Sequence, residues 1–430
     1  MRYIPNVSEE KEMLSRMKMT MDDLFSDIPD NLKKDSALPP PLSELEVKRE
    51  IEKLNSKNRK VVSFLGAGCS NHYIPSHIKE LLSRSEFYTA YTPYQPEISQ
   101  GMLQALFEYQ SLICDLTGMD VCNSSNYDWS TSLAEAALLC ERVNEKKKFV
   151  IPDISPFREH TLRGYAPDFE IAEVSYDQRG HINLEDLKEK AENASGVYVE
   201  QPSFYGVLQE DLKAAGEIAH DCNALFVVGV DPLCLGITEP EKTADIIIGE
   251  GQSLGLPQNF GGPLLGIFAC RKDLLRKMPG RIIGMTESEA GERGFVMTLQ
   301  TREQHIRRER ATSNICTNQA LCAVAAAMYL ATMGKQGLKK VAEICMRNAN
   351  YTMRKINEIP GFQSPVYDAV HFKEFTVCHP DYTKVHEHLL ANNIQGGYIL
   401  SETTALYCVT EMHSQQDILN LLETLEGFHV

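Results

Sequence analysis

Short runs of consecutive apolar residues recur through the middle of the chain, between about residues 100 and 270, and alternate with stretches that have helical spacing. Each run has the length of a strand, and the runs lie at residues 149–151, 197–199, 225–230, 246–248 and 265–269. A strand that is apolar on both sides is buried on both faces, as in parallel sheets covered by helices. The pattern therefore predicts an α/β domain built on a parallel sheet.

The N-terminal part of the chain has a different pattern. Residues 1–60 are charged and helical in spacing, with a proline break at residues 39–41. Ser43 follows the break and is the predicted N-cap of a helix over residues 44–54. We interpret this segment as an arm that packs on another surface.

The C-terminal part predicts a second, smaller set of elements. Residues 320–351 have the spacing of a long connecting helix, and the elements expected after it are strands at 372–377 and 405–409 and a helix at 415–425. At this length two packed domains are the ordinary arrangement. The predicted organisation is an N-terminal helical arm over 1–60, a large α/β domain over 61–330 and a small C-terminal α/β domain over 331–430.

Composition and charge exclude several classes of protein. No apolar run approaches the ~20 residues that span a bilayer, and the first residues turn acidic without the order of a secretion signal. The formal net charge of −16 disfavours nucleic acid and anionic membranes as partners. We expect a cytoplasmic protein that binds neither.

The twelve cysteines are scattered singly, and no CxxC pair occurs among them. Buried thiols of a reducing compartment explain this distribution better than disulfides or a zinc site do. No metal site is predicted.

Polar residues just after the apolar runs are the first candidates for chemistry, because ligands gather at the carboxyl ends of strands in open α/β sheets. Asp231 follows the run at 225–230, the residues 249–252 follow the next run, and His160 follows the run at 149–151 at some distance. An aspartate in this position is also a common turn cap, so position alone leaves both roles open.

Two further segments have the composition of a site. Residues 124–139 place small polar residues before a helix, whose free N–H groups bind phosphate or are capped by Ser130 or Thr131. Residues 89–101 combine tyrosines, prolines, a glutamine and a glutamate. Such a rigid polar and aromatic loop is typical of a site or an interface.

Other glycine-rich and basic segments are less specific. Residues 64–75 lack the spacing of a dinucleotide-binding loop, and residues 261–263 indicate only a turn. The basic run at 305–314 is the one concentrated positive segment of the sequence. Its arginines either pair with nearby glutamates or face an anionic ligand or partner.

These segments together resemble a known family. The stretches FLGAGCSNHYIP, EFYTAYTPYQPEISQG, LTGMDVCNSSNYD, GEGQSLGLPQNFGGP and GFVMTLQTREQHIRRERATSNICTNQAL are similar, in this order, to signatures of the glycine decarboxylase P-protein, in the form of subunit 1 of its two-subunit type. The similarity runs over essentially the whole chain. Five long motifs in order are far more specific than any one of them.

The resemblance implies a fold and a reaction. The family has the fold-type-I architecture of pyridoxal phosphate-dependent transferases, with a large parallel-sheet domain and a smaller C-terminal α/β domain. Its two related subunits pair as a heterotetramer, decarboxylate glycine, and transfer the aminomethyl group to the lipoyl arm of the H-protein. An enzyme of this kind needs a Schiff-base lysine, an acidic partner for the cofactor ring and a phosphate site.

The lysine is missing from this chain at the expected position. Asp231 lies where the family places the ring aspartate, but no lysine occurs between Lys242 and Lys272. Trp129 stands where a phosphate cradle favours small residues, and its indole either obstructs the cradle or faces outward. The resemblance therefore implies a subunit that does not carry pyridoxal phosphate, is inactive alone, and works with subunit 2, which binds the cofactor covalently.

Cofactor pockets of this fold lie at subunit interfaces, so the resemblance also suggests residues that reach the partner's site. The first group, expected to contribute to catalysis, is Thr89, Tyr91, Tyr94, Gln95 and Glu97. The second group, expected near the cofactor, is Asn71, His72, Tyr73, Arg307, Thr312 and Asn314.

Two other functions stay open. A pure scaffold would stabilise the partner and dock the H-protein without placing any side chain near the chemistry. A self-sufficient pyridoxal phosphate decarboxylase or aminotransferase would bind the cofactor itself, and the visible absorbance of the isolated chain would reveal it.

Overall fold

The computed structural model of the protein describes residues 7–34, 38–315 and 317–428. The chain divides into two compact units, residues 1–60 and residues 61–430. The first unit contains helices α1 (Glu10–Met17) and α2 (Glu44–Asn55), and neither helix has a buried residue. Ser43 is the N-cap of α2, as predicted, because its hydroxyl accepts a hydrogen bond from the Glu46 amide and the Glu46 carboxylate accepts one from the Ser43 amide.

The second unit contains strands and helices in alternation. Its strands are β1 (Val62–Ser63), β2 (Val121–Cys122), β3 (Lys148–Pro152), β4 (Glu170–Val174), β5 (Gly196–Gln201), β6 (Leu225–Val230), β7 (Ile246–Glu250), β8 (Gly266–Cys270), β9 (Ile282–Glu287), β10 (Arg293–Thr298), β11 (Glu374–Cys378), β12 (Ile394–Gln395), β13 (Tyr398–Ile399) and β14 (Thr404–Cys408). Its helices are α3 (Ser76–Leu82), α4 (Ser85–Tyr88), α5 (Gln100–Thr117), α6 (Trp129–Asn144), α7 (Pro156–Tyr165), α8 (Leu184–Lys190), α9 (Leu212–Asp221), α10 (Gln304–Arg307), α11 (Ala320–Asn357), α12 (Tyr382–Ala391) and α13 (Gln415–Glu426).

Seven strands form the central sheet, in the order β2-β8-β7-β6-β5-β3-β4. The strands from β3 to β7 are parallel, which confirms the prediction for most of the sheet. The prediction is wrong for β8, which runs antiparallel to β7. The connection between these two strands contains a short 3-10 turn and no crossover helix, so the chain returns in the opposite direction.

Successive side chains of each central strand point to opposite faces of the sheet. On one face Phe149 and Ile151 pack with Leu133 of α6, and on the other face Val150 packs with residues of α8 and α9. Both faces are therefore covered by helices, which explains why these strands are continuously apolar in sequence.

The C-terminal elements have an apolar core of their own. A three-stranded antiparallel sheet, in the order β11-β14-β13, packs with α12, α13 and the second half of α11. Helix α11 is interrupted at Gly334, which has a φ of +56°. The predicted elements at 320–351, 372–377, 405–409 and 415–425 are present, and the predicted domain boundary near residue 330 stays a prediction. In the described ranges, no helix combines the length and the apolar character that crossing a membrane requires.

Candidate functional site

A cleft opens at the carboxyl ends of the central parallel strands. Asp231 directly follows β6, Glu250 ends β7, and Glu200 lies near the end of β5. Residues 67–70 and the pair Lys373 and Glu374 complete the lining from outside the sheet. Because open α/β sheets bind ligands at this edge, the cleft is the candidate site of the chain.

The side chain of Asp231 is already paired inside the cleft. One of its carboxylate oxygens lies 2.7 Å from the ammonium of Lys373, and both side chains are largely buried. Burial opposes the charge on Lys373, but the Asp231 carboxylate outweighs it and raises the pKa of Lys373 above its usual value. Asp231 therefore has a cationic partner from its own chain.

A buried polar network supports Lys373 from behind. The ammonium donates to the Ser70 hydroxyl at 2.9 Å and lies 3.1 Å from Nε2 of His72. Nδ1 of His72 lies 2.9 Å from the Glu411 carboxylate. Burial and the charge of Lys373 lower the pKa of His72. A neutral ring that donates from Nδ1 and accepts at Nε2 fits these contacts.

Glu411 anchors the far end of this network. Burial opposes its charge, but hydrogen bonds from His72 and from the Tyr73 amide lower its pKa to about 2. The Cys345 thiol also lies 3.1 Å from the Glu411 carboxylate. His72, Cys345 and Glu411 are a set whose ligand atoms lie within 4.8 Å of one another, as a metal site would require. These atoms already contact one another, which accounts for the arrangement without an ion.

The Trp129 indole lies inside the cleft and does not face outward. Its Nε1 donates to the Tyr198 hydroxyl at 2.9 Å, and that hydroxyl donates to Glu200 at 2.9 Å. The Arg158 guanidinium pairs with Glu200 at 2.9 Å and stacks 4.3 Å from the centre of the indole. The side chains of Trp129, Tyr198, Glu200 and Arg158 are thus connected by hydrogen bonds, an ion pair and a cation–π contact.

A carboxylate occupies the start of helix α6, where the sequence predicts a phosphate cradle. Glu250 accepts hydrogen bonds from the Trp129 amide at 3.2 Å, the Gln252 amide at 3.0 Å and the Leu265 amide at 2.9 Å. Burial raises the pKa of Glu250 to about 7. Its position satisfies an N–H group of the helix that would otherwise be free to bind an anion.

The helix cap differs from the predicted one. The sequence favours Ser130 or Thr131 as the N-cap of α6, but the cap is Asp128, whose carboxylate accepts a hydrogen bond from the Thr131 amide at 2.7 Å. Aspartate is favoured here because its charge complements the positive end of the helix dipole. Asp128 and Glu250 thus place two carboxyl groups at the helix start.

The residues of this cleft do not fit pyridoxal phosphate. The ring nitrogen of the cofactor would have to displace Lys373 from Asp231. The cofactor's phosphate would have to approach the carboxyl groups of Asp128 and Glu250 at the start of α6. The segment from 243 to 271 contains no lysine. Lys373 is the lysine that lines the cleft, and its ion pair keeps its amine protonated and therefore not nucleophilic.

No residue of the loop at 89–101 is among those that line the cleft, and a buried arginine holds the loop in place. Arg281, which precedes β9, donates to the Thr92 hydroxyl at 3.0 Å and to the Tyr94 hydroxyl at 2.9 Å. Its guanidinium also lies 3.7 Å from the Glu303 carboxylate. Since Tyr94 accepts a hydrogen bond from Arg281, its own hydroxyl hydrogen is free to point toward a ligand.

The other predicted residues of the loop are exposed. The Tyr91 hydroxyl lies 3.2 Å from the Thr317 hydroxyl, and Thr89 donates to the backbone of Ser85. Gln95 and Glu97 are exposed, and their side chains make no hydrogen bond within the described ranges. The contacts of Tyr91 and of Arg281 join this loop to the segment at 303–317.

The second predicted group does not form a single cluster. His72 lies in the buried network behind the cleft, while Asn71 and Tyr73 beside it are exposed. Arg307 is exposed and donates to the Thr301 carbonyl at 3.2 Å, and the Thr312 amide donates to the Arg302 carbonyl at 3.0 Å. Asn314 is exposed.

Several residues that shape the site were not predicted from the sequence; they are Arg158, Glu200, Arg281, Lys373 and Glu374. Glu200 had a detectable signal, because it interrupts an apolar strand near its carboxyl end. The others are single charged residues or a charged pair with no local sequence signal that separates a buried role from an exposed one.

The fold is that of known pyridoxal phosphate-dependent enzymes. A glutamate decarboxylase of Lactobacillus brevis is similar at a TM-score of 0.69 and 13% identity, over 93% of this chain and 96% of that chain. A sphingosine-1-phosphate lyase of Burkholderia pseudomallei is similar at a TM-score of 0.68 and 11% identity, over 92% of this chain and 93% of that chain. At such identities the likeness shows the fold alone. The protein therefore has the predicted fold-type-I architecture.

Closer comparisons define the family. The sequence profile of the family described as "Glycine cleavage system P-protein" matches residues 1–425. The chain is 51% identical to a protein of Thermococcus onnurineus named "Probable glycine dehydrogenase (decarboxylating) subunit 1", over 98% of each chain. A crystal structure of glycine decarboxylase (P-protein) in inhibitor-bound form is 39% identical, with a TM-score of 0.89 over 99% of each chain. The chain belongs to the glycine cleavage system P-protein family.

Proposed function

We propose that this chain is the subunit of a heteromeric glycine decarboxylase that does not carry pyridoxal phosphate. A related partner, subunit 2, binds the cofactor covalently, and the two subunits together decarboxylate glycine and transfer the aminomethyl group to the lipoyl arm of the H-protein. Family membership supports this proposal, as do relatives of similar length that are named subunit 1 of glycine dehydrogenase (decarboxylating). We expect the complex to be a cytoplasmic heterotetramer.

The ion pair between Lys373 and Asp231 is the observation that carries the proposal. In this fold an aspartate at the end of that strand would face the ring of the cofactor, and here it is neutralised by a lysine of the same chain. At the start of α6, Glu250 accepts a hydrogen bond from the Trp129 amide, an N–H group that a phosphate would otherwise contact. Both carboxylates are satisfied without any ligand, so the cleft has little electrostatic affinity for a phosphorylated cofactor.

The contributed residues are the finer part of the proposal. Tyr91 and Tyr94 are exposed by 71% and 42% in this chain, although tyrosines of such a rigid loop are favoured at buried interfaces. Arg281 holds the Tyr94 hydroxyl in place, as a preorganised hydrogen-bond donor requires. We infer that this loop reaches the active site of the partner.

The scaffold function remains the second candidate. The exposed side chains of Gln95 and Glu97 could pack at a subunit interface as well as they could contact a substrate. The two functions differ in what the loop affects: a scaffold loop changes the affinity between subunits, whereas a contributed loop changes turnover of the assembled enzyme.

Reconstitution tests the proposal as a whole. Each subunit is purified separately and assayed for glycine-dependent release of carbon dioxide in the presence of pyridoxal phosphate and lipoylated H-protein. We expect activity only when both subunits are present, together with one stoichiometric complex in sedimentation. Full activity of the isolated chain, or two species that sediment independently in the mixture, would contradict the proposal.

A further inference from the structure

A tight turn beside the cleft presents a fully exposed phenylalanine. The turn follows the 3-10 element after β7, and its residues are Gln258, Asn259, Phe260, Gly261 and Gly262. Phe260 has a relative exposure of 111%, so its ring has no packing within the described residues. Among the described residues, the next most exposed aromatic side chain is that of Tyr91, at 71%.

The backbone of this turn is unusual for the residues that form it. Four consecutive residues have a positive φ, with values of +48° at Asn259, +54° at Phe260, +109° at Gly261 and +152° at Gly262. Asparagine and glycine tolerate this region, but a bulky aromatic residue is strained in it. Glycine at position 260 would give the same turn without strain, so the backbone alone gives no reason for an aromatic ring.

The turn is fixed at both ends. Before it, the Gln258 side chain donates to the Cys69 carbonyl at 2.9 Å. After it, the Leu265 amide donates to Glu250 at 2.9 Å, and the Leu265 carbonyl accepts from the Gly251 amide at 2.7 Å. Leu264 lines the cleft itself. Because these contacts anchor the turn, the backbone that carries Phe260 is held beside the cleft.

We propose that Phe260 inserts into an apolar pocket of the partner subunit and anchors the interface between the two chains. An aromatic side chain on a rigid turn loses little conformational entropy on binding, and such residues dominate the binding energy of protein interfaces. Exposure and backbone strain in the isolated chain are both compensated when the ring is buried by a partner. The inference rests on the proposed function, which supplies a related second subunit as the occupant.

Two substitutions separate the ring from the backbone. Phe260→Gly removes the ring and relieves the strain, and Phe260→Asn removes the ring but keeps a side chain that tolerates the left-handed region. Neither substitution removes a contact within this chain, so the isolated subunit should unfold at the same or a higher temperature. Both should weaken the affinity for the partner subunit by about 30-fold or more, whereas Phe260→Leu, which keeps an apolar side chain, should weaken it less.

The measurement is the dissociation constant between purified subunits, with turnover at saturating partner as a second readout. We expect both variants to lose affinity while the turnover of the assembled enzyme is preserved. A Phe260→Asn variant that binds the partner as tightly as the wild type would overturn the inference. This holds even if Phe260→Gly binds more weakly, because glycine also adds backbone freedom. If the Phe260 variants instead dissociated a homo-oligomer of this chain and kept their affinity for the partner subunit, the inference would also be overturned. Failure of the wild-type chain to bind the partner would instead contradict the proposed function.

Discussion

The ammonium of Lys373 lies 2.7 Å from the carboxylate of Asp231, at the end of strand β6. Breaking a largely buried ion pair leaves one charge without compensation, so we expect Lys373→Met to destabilise the subunit by about 3 to 5 kcal/mol. The double variant Lys373→Met, Asp231→Asn removes both charges and should recover at least half of the loss. Urea unfolding of the three proteins measures this. Equal stability of the single and double variants would contradict the uncompensated charge expected in the single variant.

The pH dependence of stability follows from the buried carboxyl groups of the cleft. Burial raises the pKa of Glu250 and of Glu374 to about 7, from an ordinary value of 4.5. The folded state therefore binds these protons more tightly than the unfolded state. The stability they provide is fully present below about pH 4.5 and is lost as the pH rises through about 7.

Glu374→Gln should flatten this dependence. The new side chain keeps an oxygen that accepts the Ala67 amide, which bonds to Glu374 at 2.7 Å, but it does not titrate. Between about pH 4.5 and pH 7.5 the variant should lose roughly 1 to 3 kcal/mol less stability than the wild type. Exposed Glu402→Gln is the control and should follow the wild-type curve. A Glu374→Gln curve with the wild-type slope would be inconsistent with the raised pKa of Glu374.

The contributed loop is tested by the double variant Tyr94→Phe, Gln95→Ala. If these groups act in the partner's active site, their removal should lower kcat/KM by about 30- to 1,000-fold while the subunit dissociation constant is retained. Tyr88→Phe removes a hydroxyl from another exposed tyrosine just before the loop and serves as the control. Normal turnover with weakened association would favour the scaffold function.

Arg281 should act through Tyr94. Its guanidinium donates to two hydroxyl groups at once, those of Thr92 and Tyr94, and a lysine cannot reproduce this geometry. We expect Arg281→Lys to lower turnover by about 10-fold, within the range for lost positioning of a hydrogen-bond donor. The same substitution should have little further effect in a Tyr94→Phe background. Fully additive losses would argue against a shared role.

Much of the fold could be predicted because the central strands are buried on both faces and are therefore apolar throughout. Strand β4 was not predicted, since it lies at the sheet edge and includes exposed charged residues such as Glu170 and Glu173. The direction of β8 was predicted wrongly because a strand's own composition does not record its orientation. The missing crossover helix before Gly266 is the signal that indicates an antiparallel return.

The candidate site was predictable only in part. Asp231 was predicted at the cleft because strand ends converge there in any sheet of this kind. Its partner Lys373 lies far along the chain, and a lysine before an apolar strand has the same local pattern whether it faces solvent or a buried carboxylate. The orientation of Trp129 depended on the Tyr198 hydroxyl, a long-range contact that no local pattern encodes.

The central claim is that this chain does not bind pyridoxal phosphate covalently, and reductive trapping tests it most directly. The assembled complex is incubated with pyridoxal phosphate, reduced with borohydride and digested, and the labelled lysines are located by mass spectrometry. The account predicts a stoichiometric label on the partner subunit, which is the internal positive control, and none on this chain. A stoichiometric label on this chain, at Lys373 or at any other lysine, would contradict the account.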